Sequence, residues 1–314
     1  MTVRTFTVRQ NPAYRPARIR FPLMLWLRPA DLLVLLAAVA AGCATASAPA
    51  PERPARAAHP VRGDTAAPSH SPVEWTPRRI AGTARYVVRS STTVSLTSDS
   101  AGAPAPIETR ALYTLTLSGS GTAMALTGSL DSLTIHAGGR IPAAPSLRLP
   151  LLLTGHVDGS GHLVQLTAAT APSCTGGLDP AVAQAAALFP AIPRVHIGST
   201  WQDTVAAVTC RGTLALHTLM TSSYRVAGDT TVGGREALRI VQNSVTTTAS
   251  DSASASNASV TISGSGTAER TVYVDAATGL LLRLEGSSHS TVTVRTRTAT
   301  LPFRQDVTET IELR

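Results

Sequence analysis

The chain has 314 residues and a net charge of +8, with 43% hydrophobic but only 4% aromatic residues, enough apolar material for one large or two small domains. The first 42 residues hold six arginines against one aspartate, a net charge of +5, while the remainder holds 21 arginines against 18 acidic residues, a net charge of +3. No basic cluster with interleaved aromatics follows residue 42, so the sequence predicts no nucleic-acid partner.

The amino-terminal segment combines an arginine-rich leader with the apolar run "LLVLLAAVAA" at 32–41, followed by Gly42 and Cys43. A basic start, a short apolar run and small residues before a cleavage point are typical of a secretory signal peptide. Ten apolar residues fall well short of the ~20 that a membrane-spanning helix needs. We therefore predict that residues 1–42 are a removed signal peptide and that the chain is exported.

The tetrapeptide "AAGC" at 40–43 resembles the lipobox of bacterial lipoproteins. The resemblance implies that Cys43 becomes the new amino terminus and carries lipid, a diacylglycerol and an acyl chain such as palmitate. More than one chain gives durable attachment, so the implied partner is a membrane. Ala44 after the cysteine resembles the sorting pattern for the outer membrane, on the periplasmic side. The alternative is an ordinary signal peptide that happens to contain a cysteine.

The composition of residues 43–77 is typical of a tether. Proline, alanine and small polar residues dominate this stretch, and it has no apolar period. Such a segment buries too little apolar surface to offset the entropy of ordering it, and proline keeps it extended. We predict a disordered spacer between the lipidated Cys43 and a folded domain at 78–314. Trp75 and Trp201 are interpreted as packing anchors at the edges of that domain, although Trp201 in "GSTWQD" could instead line the mouth of a pocket.

The folded part alternates apolar and polar residues with period 2, the pattern of half-buried strands. Strands are predicted at 84–96, 108–119, 122–138, 149–157, 162–170, 200–209, 212–228, 236–250, 258–275, 279–297 and 303–314. We expect a mainly β fold, either one strongly curved antiparallel sheet or a half-open β-barrel.

Short glycine-rich stretches between the predicted strands are typical of hairpin turns, because glycine adopts positive φ without steric cost. They are "SGSG" at 118–121 and 263–266, "DGSG" at 158–161 and "DAATG" at 275–279. One α-helix is predicted at 178–190, with Asp179 as the amino-terminal cap, Pro180 in the first turn and Pro190 at its end.

Two cysteines remain once Cys43 is assigned to lipid. In an exported chain Cys174 and Cys210 imply a disulfide that ties the predicted helix to the strand at 200–209. The alternative is a pair of free thiols.

The hairpin "YVDAATGLLLRLE" at 273–285, with Val274, Asp275, Thr278 and Gly279, is similar to the "VDxxTG" turn of the LolA-like and LppX-like lipoprotein carriers. The resemblance, which spans roughly 80–314, implies a curved sheet that wraps helices and receives acyl chains. It carries over no binding residue.

Catalytic and metal-binding signals are weak. The GxSxG, HExxH, CxxC and Walker motifs do not occur, so we predict no enzyme activity and no cofactor. His156, Asp158 and His162 are candidate metal ligands around one turn, but a surface hairpin explains them more simply, and no metal is predicted. The expected role is binding or carrying an apolar, lipid-like ligand. The alternatives are a structural or protein-interaction module with a solid β core, and a hydrolase whose site the spacing does not reveal.

Overall fold

The computed structural model describes residues 4–5, 73–76, 78–97, 105–119, 123–137, 148–158, 163–168, 174, 180–211, 214–250, 260–296 and 299–314. The strands are β1 (Arg4–Thr5), β2 (Gly82–Leu96), β3 (Ile107–Ser118), β4 (Ala123–Ala137), β5 (Leu151–Asp158), β6 (Leu163–Ala168), β7 (Thr200–Arg211), β8 (Leu214–Val232), β9 (Arg235–Ser250), β10 (Thr261–Asp275), β11 (Leu281–Arg295) and β12 (Thr300–Leu313). The helix α1 (Pro180–Ala186) lies between β6 and β7.

All the long strands belong to one sheet, in the order β1-β7-β8-β9-β10-β11-β12-β2-β3-β4-β5-β6. Two meanders of consecutive antiparallel strands, β2–β6 and β7–β12, meet where β2 pairs with β12. The two residues of β1 pair in parallel with β7. The eleven strands predicted from the sequence are therefore confirmed, and so is their assembly into a single antiparallel sheet with one short helix.

The sheet curls without closing into a barrel. The seven residues of α1 contact both β6 and β7, which are the outermost long strands of the sheet, so the sheet bends back toward itself. Within the described residues no backbone pairing joins these two strands. The helix therefore lies across the open seam.

The helix is held on the inner face by packing and by one tyrosine. Its buried residues Val182 and Ala185 join the main apolar core. The hydroxyl of Tyr113, a fully buried residue on β3, lies 2.8 Å from Gln184 Oε1 and 3.1 Å from the Ala181 carbonyl oxygen. The helix is shorter than predicted, because three turn residues separate Ala186 from Pro190. The predicted cap, Asp179, lies outside the described residues.

The prediction of a hairpin turn at 263–266 is wrong. This "SGSG" lies inside β10, paired with β9 on one side and β11 on the other. Its glycines allow close approach: a Cβ on Gly266 would lie 2.7 Å from the His289 carbonyl oxygen. The other stretch, at 118–121, begins at the end of β3, where Gly119 has φ +98°. Glycine therefore follows the end of a strand with positive φ in one copy and allows tight packing within a sheet in the other.

Two well-formed hairpin turns connect long strands. Gly233 and Gly234, both with positive φ, link the paired residues Val232 and Arg235, as a two-residue type I′ turn requires. In the predicted turn at 275–279, the Asp275 carboxylate accepts hydrogen bonds from the backbone N–H groups of the second and third residues after it.

The folded part begins upstream of residue 78. Trp75 exchanges two backbone hydrogen bonds with Val195, of 2.7 and 2.9 Å, and packs against the main core. The Arg79 guanidinium lies over the Phe189 ring and donates to the Pro190 carbonyl oxygen at 3.0 Å. Trp75 is therefore a packing anchor, as predicted, but it lies within the segment assigned to the tether.

Candidate functional site

The inner face of the sheet has apolar ends and a polar middle. At the end that holds α1, a large apolar core includes Tyr113, Leu153, Ile240 and Ile311. The opposite end holds the smaller cluster that contains Val94 and Leu216. Between them lies what we call the polar belt: Thr92, Ser222, Gln242, Ser244, Thr246, Arg270, Ser288, Ser290, Gln305 and Glu309. The Arg270 side chain is 11% exposed, and each of the other residues is at most 8% exposed.

Cross-strand register aligns the belt. Ser222 pairs with Ser244, and Tyr224, Gln242 and Arg270 stand opposite one another on β8, β9 and β10. The Gln242 side-chain amide donates to both serine hydroxyls, at 3.3 and 3.1 Å, and the Ser222 hydroxyl donates to Ser244 at 2.8 Å. Buried polar groups need such partners to offset the loss of water. The buried polar groups in this part of the belt are therefore partners for one another.

An ion pair lies at the centre of the belt. Arg270 of β10 and Glu309 of β12 stand on either side of Gly286 of β11, in one row across the three strands. Because Gly286 has no side chain, the two charged groups approach to 3.5 Å across it. Burial raises the pKa of the Glu309 carboxyl, and the positive charge of Arg270 opposes this shift only in part. The pair therefore carries a desolvation cost that its attraction does not fully offset.

A groove of about 590 Å³ lies on β7, β8 and β9. Its lining residues are Thr200, Trp201, Gln202, Ser223, Tyr224, Arg225, Val241 and Asn243. Six of them belong to two outward-facing cross-strand rows, Gln202–Ser223–Asn243 and Thr200–Arg225–Val241. The groove is therefore mainly a feature of the outer face, and it does not depend on an empty interior.

An aromatic pair underlies the groove. Trp201 and Tyr224 are directly opposite on neighbouring strands, and their rings stack with centroids 4.9 Å apart and planes at 8°. Burial raises the pKa of the Tyr224 phenol, although a hydrogen bond with Ser222 opposes the shift. Both rings also pack against the main core. Trp201 therefore combines the two roles considered for it, because it is a packing anchor and it lines a groove.

A second charged cluster lies on the outer face of β11 and β12. The His289 imidazole contacts the Asp306 carboxylate, which also accepts a hydrogen bond of 3.0 Å from Arg304. Burial alone would raise the pKa of Asp306. The hydrogen bonds with His289 and Arg304 outweigh this effect, so the pKa of Asp306 is lowered overall. All three side chains are at least one-third exposed, so the cluster is a solvated surface feature.

The residues singled out in the sequence lie at separate places in the structure. Cys174 and Cys210 form the predicted disulfide, with Cα atoms 5.4 Å apart. His156 is exposed on β5 and Asp158 is half-buried at its end, whereas His162 and Cys43 lie outside the described residues. The part of the chain that the structure describes contains no group of three or more histidine, cysteine or acidic residues that could hold a metal ion.

The fold and these features define an antiparallel β protein built on a single curled sheet. No model of a known protein family matches the sequence, and the search of curated proteins found no significant match. Among the described residues no helix is both long enough and apolar enough to cross a membrane.

Proposed function

We propose that this chain is an exported lipoprotein, anchored through Cys43 and facing the periplasm from the outer membrane, and that its β domain is a non-catalytic module that binds its partner on its outer surface. The anchor is supported by the leader and by the resemblance of residues 40–43 to a lipobox. The spacer after Cys43 would let the domain reach a partner away from the membrane.

The observation that carries the surface-binding role is the polar middle section of the inner face. A carrier of acyl chains needs an apolar cavity, and ligand pockets are typically at least ~300 Å³. Here the apolar end is packed around α1, and the middle is crossed by buried amides, hydroxyls and the Arg270–Glu309 pair. Hydrocarbon placed in this middle section would deprive polar groups of their partners. The groove on β7–β9, by contrast, is open to ligand without any rearrangement of the core.

The second candidate is a carrier of an apolar, lipid-like ligand, the role expected from the sequence. One observation favours it: the apolar end of the inner face lies beneath a single short helix, and α1 covers the seam between β6 and β7. If α1 moved away, it would expose an apolar surface of the kind that acyl chains occupy.

Native mass spectrometry distinguishes the two roles. The chain would be exported with an ordinary cleavable signal in place of residues 1–43, so that any lipid mass belongs to a ligand and not to the anchor. We expect the mass of the polypeptide alone. A lipid adduct that survives purification would contradict the solid-core proposal and support the carrier.

The anchor has its own test, independent of ligand. Serine lacks the thiol that receives the lipid, so Cys43→Ser should abolish incorporation of labelled fatty acid. Equal labelling of the native chain and the variant would contradict lipidation at Cys43, and it would leave the role of the β domain unaffected.

A further inference from the structure

We propose that the groove on β7–β9 binds a sugar chain that carries carboxylate groups. This inference rests on the proposed surface-binding function and names the class of its ligand.

The hydrogen-bonding groups form an ordered set. Gln202, Ser223 and Asn243 stand in register on three adjacent strands, which are ~4.8 Å apart. The side-chain amides of Gln202 and Asn243 make no hydrogen bond to any other described residue. Each amide offers two donors and an acceptor. The Ser223 hydroxyl donates to the Asn243 backbone carbonyl oxygen at 3.3 Å and offers a ligand its acceptor lone pairs. A ligand with many hydroxyl groups, which also donate and accept, matches this mixture.

The groove is not purely polar. Val241 is half-buried in its wall. The stacked rings of Trp201 and Tyr224 lie on the inner face of the sheet and support the groove from below. Sugar rings present hydroxyl groups at their edges and C–H groups on their faces, so they need both kinds of surface at once. A fatty acyl chain would leave the amides without partners, whereas a small inorganic anion would not use the apolar wall.

The charge of the groove favours an acidic sugar over a neutral one. Arg225 is exposed and is the one charged residue among the lining residues that the structure describes; it takes part in no salt bridge there. A guanidinium binds a carboxylate through two parallel hydrogen bonds, which are stronger than neutral ones. Glu269, opposite Asn243 on β10, lies outside the lining and repels carboxylates, so the carboxylate of a bound sugar must lie on the Arg225 side of the groove.

The position of the groove argues against an extended peptide. Peptides that bind sheets in extended form usually add a strand to a free edge, where backbone groups lack partners. The groove instead lies on the face of β7–β9, where Tyr224 and Gln242 have paired strands on both sides and Trp201, on the outermost of the three strands, is paired with Tyr224. Recognition there depends on side chains.

The test uses the full-length protein in detergent and calorimetric titration with two probes of equal length, an oligomer of hexuronic acid and a neutral hexose oligomer. We expect the uronate oligomer to bind more tightly. Arg225→Gln should weaken uronate binding about tenfold or more, because a hydrogen bond to a charged group is lost. Arg110→Gln, at an exposed arginine on β3, is the matched control and should bind as the native protein does.

Three results would show that the groove does not bind an acidic sugar chain. The proposal is wrong if the native protein binds neither oligomer, or if Arg225→Gln and Asn243→Leu both leave uronate affinity unchanged while thermal unfolding shows them folded. Competition for the groove by an extended peptide, but not by sugar, would also overturn it. None of these results alters the lipid measurement, so the failure of the saccharide site is distinguishable from failure of the surface-binding role.

Discussion

The two meanders of the sheet differ in what they place on the inner face. In β3–β6 the inward positions are apolar, as with Leu115, Leu126 and Leu153. In β8–β12 the inward positions include polar residues. In β11 Ser288 and Ser290 lie between Leu284 and Val292, and in β9 the inward positions after Ile240 are polar. Of the ten residues of the polar belt, nine lie on β8–β12, and Thr92 of β2 is the exception.

The difference shows that burial and hydrophobicity are separate properties of a strand. The meander β2–β6 is stabilised in the ordinary way, by removal of apolar surface from water. The meander β7–β12 buries hydroxyls, amides and an ion pair, whose hydrogen bonds contribute little net stability but are costly to break. Substitutions should therefore act by different mechanisms in the two meanders, and the following predictions test this.

The largest effect is expected from Glu309→Ala. It leaves the guanidinium of Arg270 buried without its carboxylate partner, which typically costs about 3–5 kcal/mol. Chemical denaturation would measure the loss. The double variant Arg270→Met/Glu309→Leu removes both charges and should recover most of the stability or exceed it. If Glu309→Ala and the double variant lose stability equally, the cost comes from lost packing and not from an unpaired charge.

The next largest effect is expected from removal of the disulfide, which links the segment between β6 and α1 to β7. Cys174 precedes α1 and Cys210 lies near the end of β7, so the bond links residues 36 positions apart. Cys174→Ser/Cys210→Ser should lower the free energy of unfolding by about 3–4 kcal/mol, because the unfolded chain regains freedom. The native protein and the variant should unfold alike under reducing conditions, and a difference that persists there would contradict this explanation.

A smaller effect is expected where the belt needs space. A Cβ at position 286 would lie 2.4 Å from the Glu269 carbonyl oxygen and 2.6 Å from Cγ of Arg270. Gly286→Ala should therefore destabilise by about 1–3 kcal/mol through overpacking. Ser287→Ala, at the next position on the opposite face of β11, is the control and should stay within about 0.5 kcal/mol. Equal denaturation midpoints for the two variants would argue against crowding at the ion pair.

The smallest expected effect is on how steeply the free energy of unfolding changes with pH. Because the folded protein raises the pKa of Glu309, the folded state holds this proton more tightly than the unfolded state does. Stability from this group is therefore present at low pH and falls as pH rises from the ordinary glutamate range through the raised pKa. Glu309→Gln should remove that part of the slope. Asp306 and Glu312, whose pKa values are lowered, remain in both proteins, so the difference between their stability curves isolates Glu309.

The strands were predictable because alternation records which face is buried, and the turn at Asp275 was predictable from aspartate and glycine. The belt was not. In β9, Val241 and Val245 face outward, and Val245 is 48% exposed, while Gln242 and Ser244 are buried. Ile240 sets this orientation from the apolar end, and strict period 2 carries it through the polar section. A prediction from local hydrophobicity alone would place Val241 and Val245 on the buried face and Gln242 and Ser244 on the exposed face.

The groove was also beyond sequence reasoning. Gln202, Ser223 and Asn243 are separated by about twenty residues each, and they come together only through the register of three strands. Trp201 was the one residue of the groove that the sequence indicated. The second "SGSG" was misread because glycine that permits a turn and glycine that permits close packing look the same in a sequence.

The pairing of β2 with β12 has a consequence for the order of events during synthesis. These are the first and last of the long strands along the chain, and their side chains meet in the Arg89–Glu312 ion pair, 223 residues apart in sequence. Until the final strand has been made, one side of β2 has no partner, and neither has the far side of β11. Contacts between such distant residues form slowly. The growing chain therefore carries the exposed edge of β2 for most of its synthesis, and β12 covers this edge and the far side of β11 at once.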